Sequence, residues 1–151
     1  MAYTAQHLNS RTNARLRPFD PDSVDPVIVD LDPTGDGECL ALADGFQRFR
    51  AGLMRTVGTG NVDAFQIIAA TDADGTGATV VVAHSGPTVA NAEGDTLWLE
   101  CDADQVKEAL ATATHIGVRV ELATATDECT VFFERADPTF ATGDLTADYV
   151  A

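Results

Sequence analysis

The stretch Phe46–Ala83, FQRFRAGLMRTVGTGNVDAFQIIAATDADGTGATVVVA, decides how the rest of the chain is read. From Phe65 the residues alternate around Ile67 and Ala69. Past the turn Asp72–Gly77, Ala78, Val80 and Val82 alternate with Thr79, Val81 and Ala83. Successive strand residues point to opposite faces, so this pattern buries one face and needs a second layer to cover it. The first part, residues 46–57, admits two readings. Asp44-Gly45 between apolar runs is a hairpin signal, whereas Asp44 with Gln47 fits a helix capping box and Phe46, Phe49 and Leu53 fit a helical stripe. Gly52 in mid-segment and Thr56-Val57 favour a strand, and a strand is expected there.

Toward the N-terminus, Val27–Leu31 reads as a first strand stopped by the turn DPTGDG, and Glu38–Ala43 as a second. Residues 1–26 are polar, lack periodicity and carry Pro18, Pro21 and Pro26. Proline fixes φ and removes a donor, so this segment is expected to be an extended arm. Toward the C-terminus, Leu97, Leu99 and Cys101 alternate with Thr96, Trp98 and Glu100. Asp102 with Gln105 three residues on then opens a short helix that should bury Val106, Ala109 and Leu110. The last hairpin is expected from Ile116, Val118, Val120 and Leu122, through the turn ATATD, into Cys129, Val131 and Phe133. Residues 137–151 form a polar tail. The organisation is then an arm at 1–26, a domain at 27–136 and a tail at 137–151. The fold class is mainly β: an antiparallel β-sandwich, jelly-roll-like, with one short α-helix.

The 151 residues suffice for one domain with a real core, and 45% hydrophobic residues exclude wholesale disorder. No apolar run approaches the ~20 residues of a membrane helix, and the N-terminus lacks the apolar core of a secretory signal. A soluble protein made in a cytoplasm is expected. The formal charge is −15, unevenly spread. Residues 1–19 hold Arg11, Arg15 and Arg17 and no acid, whereas Lys and Arg are absent between Arg55 and Lys107. So acidic a body repels phosphate, which argues against a nucleic-acid partner. Its acidity serves solubility or a salt-rich habitat, or else receives the basic arm of a neighbouring subunit.

Candidate chemistry is sparse. Asp72–Gly77 has oxygens at positions 1, 3 and 5 of a calcium loop and glycine at 6, but position 12 is Ala83 where a bidentate Glu is required. Asp32–Gly37 fails likewise at Ala43, so both are read as Asp/Gly turns. The two Gly-Thr-Gly runs, at 58–60 and 75–77, lack the lysine and the strand–loop–helix setting of a phosphate loop. His84-Ser85 has no nucleophile-elbow spacing, and no pair stands out among the 24 acids for glycoside cleavage. Cys39, Cys101 and Cys129 form no C-x-x-C pair; Cys101 and Cys129 read as small buried hydrophobes. Neither a metal nor any cofactor is expected.

Strand parity puts Trp98 and Phe132 opposite the core residues of their own strands. They are either a second buried layer or exposed aromatics at an intersubunit contact, with a sugar-stacking platform as a third reading. The subunit-contact residues expected from the arms and these aromatics are Leu8, Arg11, Arg15, Leu16, Arg17, Phe19, Trp98, Phe132, Phe140 and Tyr149.

Residues 46–136, about three-fifths of the chain, resemble a group of small tailed-bacteriophage structural proteins encoded among the head and tail genes. The resemblance lies in a succession: V-G-T-G-N-V-D-A at 57–64, F-Q-I-I-A-A-T-D-A-D-G-T-G-A-T at 65–79, D-A-D-Q-V opening a helix at 102, and I-G-V-R-V-E-L at 116–122. It implies a non-enzymatic β-sandwich virion protein, made in the host cytoplasm and serving as a capsid decoration or cement protein. Its partners would be the major capsid protein or neighbouring copies in a homo-oligomer, with no membrane. A tail or neck component and a carbohydrate-binding β-sandwich are the alternatives, and an enzyme would need a pocket of convergent titratable groups.

Overall fold

A computed structural model of the protein describes residues 12–19, 24–32, 37–42, 45–84 and 92–138. Nine strands and one helix are present among them: β1 Thr12–Phe19, β2 Val27–Ile28, β3 Leu40–Ala41, β4 Phe46–Val57, β5 Val62–Ala70, β6 Thr79–Ala83, β7 Thr96–Asp102, α1 Ala103–Ala109, β8 His115–Leu122 and β9 Glu128–Pro138. They form two antiparallel sheets. Sheet A has the order β1-β9-β4-β7 and sheet B the order β2-β8-β5-β6, with β3 also paired to β8. The protein is thus mainly β, a two-sheet sandwich with one short helix.

The inward residues follow from strand parity. On β4, Phe49, Ala51 and Leu53 are buried while Arg48, Arg50 and Met54 are exposed, so residues 46–57 form the strand that Gly52 favoured. Across from β4, Phe133 stacks on Phe49 with ring centroids 6.4 Å apart. From sheet B, Phe65, Ile67, Ile116, Val118 and Val120 fill the same core. The β5–β6 hairpin forms as expected around Asp72–Gly77, with a register shift between Ile67 and Ile68. Within the turn, the Asp72 carboxylate accepts a hydrogen bond from the Thr76 amide at 2.9 Å, and Gly75 and Gly77 take positive φ. This is the Asp/Gly turn chemistry read from the sequence.

Helix α1 starts at the capping box: the Asp102 carboxylate accepts from the Gln105 amide, and the Gln105 side-chain oxygen accepts from the Asp102 amide. Val106 is fully buried. Leu110, expected beside it in the core, is the C-cap and only half-buried, because the helix ends there and β8 begins five residues later.

Three further expectations change. Residues 12–19, assigned to the N-terminal arm, form β1, the edge strand of sheet A paired along its length with β9. Pro18 lacks a donor, which an edge strand tolerates, and Phe19 lies in the core with 8% exposure rather than serving as an external anchor. The first strand shrinks to Val27–Ile28, although Val29 and Leu31 remain buried and their amides bond to Val118 and Glu38. Finally, β8 and β9 are not a hairpin. Residues 123–127 carry the chain from sheet B to sheet A, and β8 pairs with β5 and β2 while β9 pairs with β4 and β1. Each strand needs its apolar side facing the opposite sheet, and facing layers satisfy both better than one continuous sheet.

Candidate functional site

The register of sheet A places Leu16, Phe132, Gly52 and Trp98 side by side, one from each strand, in a single row across the sheet. Parity turns this row away from the core. Leu16 is 63% exposed and Trp98 50%, with Met54, 44% exposed, in the next row. Phe132 is half-buried between them. Of the three readings left open, the second buried layer does not hold: the two aromatics lie on the outer face, and Trp98 is half open to solvent.

The geometry of the row depends on Gly52. A Cβ there would stand 2.4 Å from Cζ3 of Trp98, so only glycine lets the indole lean across β4 toward Phe132. The two rings meet edge to face, centroids 5.9 Å apart. An aromatic laid across a glycine of the neighbouring strand restores packing that the glycine lacks. The Arg50 guanidinium sits 4.3 Å from the centre of the Trp98 ring and also bridges Glu100 at 3.3 Å. This holds the indole in place from one side.

Beside the row lies a shallow groove of about 350 Å³ lined by Arg48, Arg50, Glu100, Asp102, Gln105 and Glu134. Its charges alternate in sign across the strands, with Glu134 opposite Arg50 and Arg50 opposite Glu100 in register. With two arginines against three carboxylates, such a lining comes near to balancing its own charge and offers no concentrated field for a small ion.

The other expected contact residues fall elsewhere. Arg15 pairs in register with Phe133 and Arg17 with Val131. Arg17 is half-buried, and its Nε has no partner among the described residues. Leu8, Arg11, Phe140 and Tyr149 lie outside the described residues.

A second cluster escaped the sequence reading. Arg55, 1% exposed, forms an ion pair with the buried Asp127 at 2.7 Å and donates to the Val57 carbonyl at 3.2 Å. The Gly60 amide donates to the same carboxylate at 2.9 Å, and Gly58, at φ +96°, has room for no Cβ beside it. The GTGN loop therefore wraps an internal carboxylate, which locks the β4–β5 loop to the β8–β9 connection. Arg55 was accessible to parity, two residues after Leu53 on the inward side; its partner, 72 positions away, was not. Arg135 is also buried, donating to the Ala41 carbonyl at 3.1 Å and standing over the Phe46 ring at 4.7 Å. These are structural charges, held by the core.

The cysteines are unbridged and buried. Burial, helped by the Glu38, Asp72 and Asp74 carboxylates, pushes the Cys39 thiol up to about 12. Burial is also the main cause that pushes Cys101 and Cys129 up to about 12. None is a thiolate nucleophile at neutral pH.

No protein-family model matches the chain, and no curated protein is similar to it.

Proposed function

We propose that this chain is a non-enzymatic structural subunit of a tailed-phage virion, a capsid decoration or cement protein that is made in the host cytoplasm and held by contacts with other subunits. The observation that carries the reading is the solvent-facing row of Leu16, Phe132 and Trp98 with Met54 beside it. Tryptophan, phenylalanine, methionine and arginine are the residues that protein interfaces favour, and a row of them on a sheet face has the make-up of an interface centre. The strand order β1-β9-β4-β7 facing β2-β8-β5-β6 supports a jelly-roll topology, in which nearly every connection crosses between the sheets. The terminal segments 1–11 and 139–151 would add attachment beyond this face.

Virus particles from the host that carries this sequence should contain the chain in many copies, measured by quantitative mass spectrometry. A chain found only in the soluble lysate overturns the reading. One observation favours a second reading: the half-exposed Trp98 beside a charged groove also suits a carbohydrate module. Glycan binding that is lost with Trp98→Ala would replace the structural role.

A further inference from the structure

We infer that the outer face of sheet A is a homotypic interface, closed by a second copy of this chain about a twofold axis parallel to the strands between β4 and β9. The inference rests on the structural-subunit reading and names its partner. An isologous contact must be self-complementary, each residue meeting what the axis places over it. Rotation about that axis keeps the rows of the sheet aligned and exchanges β9 with β4 and β1 with β7.

The register then decides the pairs. In the aromatic row, Leu16 of one copy covers the rim of Trp98 in the other, and Phe132 faces the Gly52–Trp98 step. In the adjacent row, Glu134 lies over Arg50, once in each direction across the axis. In the row on the other side, Thr130 meets Met54 and Pro18 meets Thr96. In the aromatic row and the Met54 row apolar residues meet apolar or neutral ones, and the two charged residues nearest the axis meet their opposites; at the outer end of the Glu134 row the rotation sets position 14 over Glu100. A partner of unrelated sequence would have to reproduce this alternation, whereas a second copy carries it already.

Four strands ~4.8 Å apart and six or so residues at ~3.4 Å give a face of roughly 400 Å². That is about half of the ~800 Å² per partner in a standard interface, so the contact belongs to the small, transient class. Two bodies of formal charge −15 also repel. The association should therefore tighten as salt rises from ~0.05 to ~1 M, the reverse of a contact made by ion pairs alone.

Trp98 is the sole tryptophan of the chain and a reporter of this face. The full-length protein is followed by sedimentation velocity and tryptophan emission from low to high micromolar concentration. Dimer formation should coincide with a blue shift and with reduced acrylamide quenching. Leu16→Arg, at an exposed edge position, should weaken association ~10-fold or more without altering the thermal melt. Glu134→Arg and Arg50→Glu should each abolish self-association, and mixing the two variants should restore it, because each then presents the charge the other lacks. A chain that stays monomeric throughout overturns the inference. If that monomer is nonetheless abundant in purified particles, the structural role stands and the face meets a different protein. A dimer with unchanged Trp98 emission, or an unrestored mixture, places the contact elsewhere and overturns it equally.

Discussion

The outer faces of the two sheets share a device and use it oppositely. Each has a glycine on an interior strand that something else covers. On sheet B it is Gly117, where a Cβ would lie 2.6 Å from the Cys39 sulfur. On sheet A it is Gly52, covered by Trp98. Around Gly117 the face closes: Cys39, Ile68 and Ala70 are buried, with Ile28, Ala78 and Val80 packed against them. The covering segment is held by the Cys39 amide bonding to the Ala73 carbonyl at 2.8 Å. Around Gly52 nothing from the described residues lies over the indole. The lesson is that alternation of apolar residues alone does not say which second face is finished within the chain. The chain's own loop finishes sheet B with small residues, and sheet A presents large ones to solvent.

The largest expected effect comes at the joint that both sheets share. Asp127→Ala leaves the Arg55 guanidinium buried without its counter-ion and should cost about 3–5 kcal/mol in urea unfolding. A loss under 1 kcal/mol would mean that water reaches Arg55. On the closed face, Ile68→Ala should cost about 2–5 kcal/mol, as expected for a fully buried aliphatic residue. Gly117→Ala should cost about 1–3 kcal/mol by displacing Cys39, and should make that thiol accessible to a maleimide probe that the native protein resists. On the open face, Trp98→Ala should lower monomer stability by about 1 kcal/mol, the scale of one aromatic pair. If Trp98→Ala proves as damaging as Ile68→Ala, the contrast between the faces fails.

The thiols sharpen the contrast through pH. In the unfolded chain they ionise near their ordinary value of 9.0, but in the folded protein they hold their protons up to about 12. The unfolded state thus loses protons first as pH rises, so this contribution is fully present below pH 9 and is lost between about 9 and 12. Replacing Cys39 with Ala should flatten part of that alkaline decline in thermal melts.

What the sequence made legible was local. The Asp72–Gly77 turn, the capping box at Asp102 and Gln105, and the alternation of Leu97, Leu99 and Cys101 each depend on neighbours within a few residues. Partner choice between strands does not, and there the reading failed. A short link made β8 and β9 look like a hairpin, although the turn between them is tied instead to Asn61 and Gly60. Residues 12–19 read as an arm because positions 15 and 17, in step with Phe19, are arginines, and Leu16 falls on the opposite parity, so no apolar alternation shows. The candidate site was half visible: parity isolated Trp98 and Phe132, but only the register joins them to Leu16 and Gly52.

The position of β9 has a consequence for how the protein is made. It is the central partner of both β1 and β4, yet it is the last of the described strands to be synthesised. Roughly 70 residues separate β4 from β9, which at ~5–20 residues per second leaves one edge of β4 bare for several seconds. Long-range pairing of this kind is slow, and a waiting apolar strand invites pairing with another nascent chain. Three arginines, Arg48, Arg50 and Arg55, punctuate that strand. Arg48 and Arg50 stay exposed on the outer face and Arg55 is buried only once the sandwich closes; charges so placed disfavour pairing of the bare strand with another chain before β9 arrives.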